Sequence, residues 1–207
     1  MKPLISIIHS IHGSWPIIAQ EASDRVSRFC GPLSVISESF DPKDVIRARF
    51  TSLLKFDRPV WMMDADLWFV RPYTLPVISG DVIIGSLNEH APADAVLGGK
   101  FKGLDFKTRD TFNLSLVSLD MGSERIRQCV QMAIIYMDEH FGKDVPNHAE
   151  VFLNRSAREL GIMVARMSNY LNWCGNQNIS HKTIALHAAE QKNKLQWLRE
   201  GASKVNA

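Results

Sequence analysis

The chain has 207 residues, of which 45% are apolar and 22% charged. That balance excludes a disordered tail, a collagen-like fibre and a coiled coil, and the length suits one domain with at most a small extra lobe. Lys and Arg number 24 against 22 Asp and Glu, too even a balance to argue for a phosphate-coated partner from bulk charge. The three cysteines, Cys30, Cys129 and Cys174, are far apart and form no Cys-x-x-Cys pair, so neither a disulfide framework nor a zinc ribbon is supported. Leu4–Ile8 is too short for a signal segment, and no apolar run approaches the length that spans a bilayer. A reducing, cytoplasmic compartment is expected. In that compartment the Asn-x-Ser triplets at Asn113, Asn154 and Asn178 carry no meaning as glycosylation sites.

Taken in chain order, short apolar runs alternate with amphipathic stretches. Leu4–Ile8 predicts a buried strand. Ser14 is a candidate N-cap, after which Ile18, Ala22, Val26 and Phe29 recur at helical spacing until Gly31-Pro32. Leu33–Ile36 is a second strand, and Asp41-Pro42 is expected to open a second helix. Val60–Met63 is a third strand ending in Asp64-Ala65-Asp66, with Leu67–Val70 extended up to Arg71-Pro72. Val82–Ile84 is another strand. The segment 88–110, rich in Gly and Ala, predicts a long functional loop that closes over bound ligand. Phe112–Leu119 (strand), Ser123–Phe141 (helix), Pro146–Leu160 (helix, ended by Gly161), Ile162–Val164 (strand) and Ile184–Leu186 (strand, leading into His187) follow. Strands separated by helices predict an α/β fold: a single Rossmann-like domain over 1–190 with a mostly parallel central sheet. A polar tail helix over 191–207 follows it.

The most informative residues are Asp64 and Asp66, because they follow a strand that is apolar at every position. Ligands of open α/β sheets sit at the carboxyl ends of strands. Two carboxylates one residue apart there can bind Mg²⁺ or Mn²⁺, and such an ion can neutralise a departing diphosphate. A solvated Asp-rich turn is the plain alternative. Ile8-His9-Ser10 ends the first strand, at a turn that can receive a nucleotide. No Gly-x-Gly-x-x-Gly or Gly-Lys-Ser/Thr follows it, so neither a dinucleotide fold nor a P-loop is supported. The five tryptophans are expected in the core or at its rim.

The segment from Val60 through Asp64-Ala65-Asp66 to Arg71-Pro72 resembles the signature of nucleotide-sugar glycosyltransferases of the GT-A fold, and most closely the glycogenin and lipopolysaccharide galactosyltransferase group. The resemblance implies a hexosyltransferase whose donor is a nucleoside-diphosphate sugar, with UDP-glucose as the representative, and whose cation is Mn²⁺ or Mg²⁺. Asp64 and Asp66 would then contact the metal and the donor, with His187 as a third metal ligand. Arg49 on the preceding helix would face the donor, and His9 and Ser10 would meet its nucleotide. Asn113 matches the family's Phe-Asn-Ser/Thr-Gly strand, although Ser115 replaces the glycine. Glu150 falls in the segment resembling the family's Asp-Gln-x-x-Leu-Asn helix, with Ala149 in place of the Asp, so Asn113 and Glu150 are the catalytic candidates on the sugar side. Lys192 and Lys194 straddle the family's diphosphate-binding lysine, and Lys192 is taken for that role.

The acceptor hydroxyl is open among a glycan, a protein and a hydroxylated DNA base. The only support for nucleic acid is a basic rim of Lys100, Lys102, Lys107, Arg109, Arg125 and Arg127. Two other readings compete. A haloacid-dehalogenase-type phosphatase also places Asp-x-Asp after an apolar strand, but here Trp68 stands where Thr or Val is usual and no later acidic pair is evident. A non-catalytic module that binds sugar or nucleotide is the other.

Overall fold

The computed structural model describes residues 4–77, 79–87, 112–140, 149–167, 179, 183–188 and 191–206. The expected loop over 88–110, the start of the helix at 146–148 and Cys174 lie outside them. The described elements run β1 (Leu4–Ser10), α1 (Trp15–Phe29), β2 (Ser34–Phe40), α2 (Val45–Thr51), a 3₁₀ turn (Leu53–Lys55), β3 (Pro59–Asp64), β4 (Leu67–Phe69), β5 (Val82–Leu87), β6 (Phe112–Asp120), α3 (Glu124–His140), α4 (Ala149–Glu159), β7 (Met163–Arg166), β8 (Ala185–His187) and α5 (Lys194–Asn206).

Six strands form one sheet in the order β2-β1-β3-β6-β5-β7. β1 pairs in parallel with β2 and β3, and β5 with β7, while β6 runs antiparallel between β3 and β5. The sheet is therefore mostly parallel with one reversed strand, as an α/β domain of Rossmann type allows. Its alternation explains the layers. Along β3, Trp61 and Met63 enter one core while Val60 and Met62 enter the other, as the two-residue period of a strand requires. Both faces are apolar because both are covered by helices. On one side lie α1, through Ile18, Ala22 and Val26, and α5, through Leu198, Ala202 and Val205. On the other lie α2, α3 and α4, through Phe50, Val130 and Leu153 among others.

The expected helix boundaries hold closely at α1. Ser14 takes the N-cap through its carbonyl, which accepts the Ile18 N–H at 3.0 Å, with Pro16 in the first turn. The chain leaves the helix through Gly31 at φ +84°, a conformation that glycine alone adopts without strain. α2 begins later than expected. The Asp41 carbonyl first closes a separate turn by accepting the N–H groups of Asp44 and Val45, and continuous helix starts only where Asp44 O accepts Ala48 N–H. The tail helix packs into the same core as β1 and β4. A Cβ added at Gly201 would lie 2.9 Å from Leu186 Cδ1, so glycine lets α5 press closely on β8.

Cys30 and Cys129 are buried, and burial pushes both thiols up to about 12. At pH 8 both are thiols rather than the nucleophilic thiolates. The native protein should therefore leave Cys30 and Cys129 unmodified by iodoacetamide over an hour, with both labelled after denaturation. Peptide mapping by mass spectrometry reads this directly, and rapid native labelling of either would contradict their placement.

Candidate metal centre at the strand ends

The register places the site. Ile8 of β1 pairs with Asp64 at the end of β3, so His9 and Ser10 extend past Asp64 at the same sheet edge. β6 is antiparallel to β3, with Met63 opposite Leu116. The start of β6, including Asn113, therefore comes to that edge as well. Beyond Asp64 the chain turns through Ala65-Asp66 into β4, which pairs antiparallel with β8, Leu67 opposite His187. The Ala188 N–H donates to Asp66 O at 3.1 Å and Val70 N–H to Ile184 O at 2.9 Å. This two-stranded ribbon lays His187 against the Asp64-Ala65-Asp66 turn.

His187 Nε2 lies 3.5 Å from Asp64 Oδ2 and 3.5 Å from Asp66 Oδ1. One ligand atom from each of the three residues falls within 4.8 Å of the others, the one such group among the described residues. Two carboxylate oxygens and an imidazole nitrogen are a donor set that suits Mn²⁺. Around a six-coordinate cation with ligands at about 2.1 Å, neighbouring donors stand about 3 Å apart and opposite ones about 4.2 Å, and the two 3.5 Å separations from His187 fall in that range. No family model matches the chain, and no curated protein gives a significant match. The reading of the site rests on its own geometry.

The remaining carboxylate oxygens are held by basic side chains. Arg49 Nη2 lies 2.7 Å from Asp64 Oδ1 and also donates to the Leu114 carbonyl at 2.9 Å. Lys194 Nζ lies 2.6 Å from Asp66 Oδ2, donates to the Ala188 carbonyl, and sits 5.6 Å from the centre of the Trp15 ring. Asp66 is only 5% exposed. Burial opposes its charge, but the hydrogen bond and charge of His187 together with the Lys194 ammonium outweigh that and hold the carboxyl well below the usual carboxylate range.

The other sequence-predicted residues fall as follows. His9 and Ser10 are buried at the end of β1. His9 Nδ1 is 2.9 Å from Ser10 O, and Ser10 Oγ accepts the His12 N–H at 3.1 Å. Asn113 Oδ1 accepts the Ser115 N–H at 2.7 Å near the start of β6. Glu150 is half-buried in the first turn of α4. Four residues on, the Asn154 side chain grips Phe112, accepting its N–H and donating to its carbonyl, both at 2.9 Å. That clamp ties α4 to the start of β6. Lys192 is exposed in the turn before α5, while Lys194 is the lysine that reaches Asp66.

Of the expected basic rim, only Arg125 and Arg127 are described. Arg127 donates to the carbonyls of Leu54, Phe56 and Met121, and Arg125 to that of Leu160. Both guanidinium groups tie protein segments together. No described helix is long and apolar enough to cross a membrane.

Proposed function

We propose that this chain is a divalent-cation-dependent glycosyltransferase that moves a sugar from a nucleoside-diphosphate sugar to a hydroxyl acceptor. The observation that carries the reading is the convergence of Asp64 and Asp66 with His187, which is far from them in sequence, at the carboxyl end of β3. A cation held there would offset the charge that develops on a leaving diphosphate. Asp64 and Asp66 present one oxygen each to the shared centre, and the buried His187 ring supplies the nitrogen. His9 and Ser10, which follow Ile8, the register partner of Asp64, on β1, would meet the nucleotide. Asn113 and Glu150 are the candidates for the sugar side, each at the start of an element that the Asn154 clamp fixes to the other.

The test is donor hydrolysis without acceptor. With Mn²⁺ and a panel of nucleoside-diphosphate sugars that includes UDP-glucose, slow release of a nucleoside diphosphate is expected, and excess EDTA should stop it. Release of inorganic phosphate from p-nitrophenyl phosphate, through an aspartyl-phosphate on Asp64, would replace this reading with the phosphatase one. Tight binding of donor with no turnover under any acceptor would replace it with a binding module.

A further inference from the structure

β6 outruns its neighbour in the sheet. Its pairing with β3 begins at Leu116, opposite Met63, so residues 112–115 extend past the point where β3 gives way to the Asp64-Ala65-Asp66 turn. β5 holds only part of this overhang. It pairs at Phe112 and Asn113, and the register then jumps to Val117 opposite Gly85. Leu114 and Ser115 therefore stand opposite no residue of either neighbouring strand. Backbone groups at such an irregularity need other partners, and here side chains supply them. Arg49 donates to the Leu114 carbonyl, Asn113 Oδ1 accepts the Ser115 N–H, and Asn154 holds Phe112 by both its N–H and its carbonyl.

Asn154 makes three bonds with one carboxamide. Oδ1 accepts the Phe112 N–H at 2.9 Å, and Nδ2 donates to the Phe112 carbonyl at 2.9 Å and to the Glu150 carbonyl, one turn back on α4, at 2.8 Å. The residue is only 5% exposed, so water does not compete for these bonds. None of them goes to Asp64, Asp66 or His187. Their effect falls on the residues beside the partners: Asn113 follows Phe112 directly, and Glu150 lies in the first turn of α4.

We propose that Asn154 is a positioning residue, which sets where Asn113 and Glu150 stand with respect to the carboxylate centre without itself meeting donor or cation. The inference rests on the sugar-side role proposed for those two residues. It makes one buried amide the common support of both. A displacement of about 1 Å at reacting groups can cost on the order of a hundredfold in rate, so loosening this support should slow the chemistry. The elements that hold the cation and the nucleotide, β1, β3 and β8, take no bond from Asn154 and should keep their affinities.

The experiment measures hydrolysis of UDP-glucose with Mn²⁺ by the full chain, or of whichever sugar donor in the panel the parent chain turns over fastest. Asn154→Ala should lower kcat by about ten- to a hundredfold, with KM and the calorimetric affinity for MnCl₂ unchanged, the pattern of an interaction needed only in the transition state. Gly85→Ala reaches the same strand from the other side and leaves the carboxamide in place. A Cβ there would lie 3.2 Å from Phe112 Cβ, so Phe112 must give way, and kcat should fall by a smaller factor of about two to ten. Circular dichroism and melting curves check that each variant is folded at the assay temperature, and Gly85→Ala decides alone if Asn154→Ala is not. If the folded variants melt earlier but keep the parent kcat, Asn154 is merely structural, the inference is wrong and the transferase reading stands. A loss of Mn²⁺ affinity in step with kcat would also overturn it, because the effect would then run through the cation centre. If the parent chain turns over no donor, the transferase reading is wrong and the inference falls with it.

Discussion

Asp66→Asn is expected to lower cation-dependent release of nucleoside diphosphate from a sugar donor by about a thousandfold or more, the scale of losing an electrostatic contribution of several kcal/mol. The side chain is buried, with Lys194 Nζ at 2.6 Å from one oxygen and His187 Nε2 at 3.5 Å from the other. An amide fits the same space and can still accept from Lys194, so the fold should survive. Alanine is the poorer test, because it would remove the carboxylate that the Lys194 ammonium meets at 2.6 Å. The substitution should still cost stability, by at most about 3 kcal/mol, since a partly buried ion pair is broken. Its pH dependence has a definite sign. The folded Asp66 carboxyl sits below its unfolded value of about 3.9. The charged group therefore stabilises the fold above about pH 4, and that contribution is lost as the pH falls further towards the lowered value. Denaturant titrations in EDTA should show the parent chain ahead of Asp66→Asn at pH 7 and the gap closing in acid. A variant with full cation-dependent activity would remove Asp66 from the site.

The sequence made the centre of the site legible for a physical reason. An apolar run that ends in Asp64-Ala65-Asp66 has nowhere to put two carboxylates except the edge of a buried sheet, which is where β3 leaves them. His187 also ends a short apolar strand, but its metal role comes from the resemblance to the glycosyltransferase family and not from that pattern. Lys194 was harder because proximity in sequence does not separate it from Lys192. The helical wheel does. Within α5, Lys194 shares a face with Leu198, Gly201 and Val205, at spacings of four, seven and eleven, and Leu198 and Val205 are buried. A lysine on a buried helix face needs a partner, and Asp66 is the partner.

Other features were not legible at all. Nothing in the apolar pattern of Phe112–Leu119 states a direction, yet the reversal of β6 brings Asn113 to the Asp64 edge and the Leu114 carbonyl to Arg49. Arg49 was expected to face a donor because of where it falls in the chain. Its guanidinium spans Asp64 and Leu114, a contact that depends on how α2 crosses the sheet. Leu67–Phe69 is too short to show by periodicity that it is half of a ribbon, and its partner Ala185–His187 is no longer.

Trp68→Ala is expected to be the most destabilising of the substitutions considered, at roughly 3–5 kcal/mol. Trp68 is the middle residue of β4 and 0% exposed. Its Nε1–H donates to the Ile18 carbonyl of α1 at 3.2 Å, and the Arg25 guanidinium lies 4.6 Å from its ring centre. Removing the ring leaves a large cavity between α1 and the ribbon, which neighbouring side chains can only partly fill. For a domain of this size the melting temperature should fall by roughly 6–20 °C, whereas Trp68→Phe, which keeps most of the volume, should fall by less. The effect should also reach the site. Trp68 pairs with Leu186, and that pairing holds His187 beside Asp66. A loosened ribbon costs the third ligand, so the rise in melting temperature on adding Mn²⁺ with diphosphate should be smaller in Trp68→Ala than in the parent chain. Ile135→Ala is the matched control, because Ile135 is 54% exposed on α3 and should shift stability by no more than about 0.5 kcal/mol. If Trp68→Ala melts within 2 °C of Ile135→Ala, with the same response to Mn²⁺ and diphosphate, the ribbon does not hold the site together.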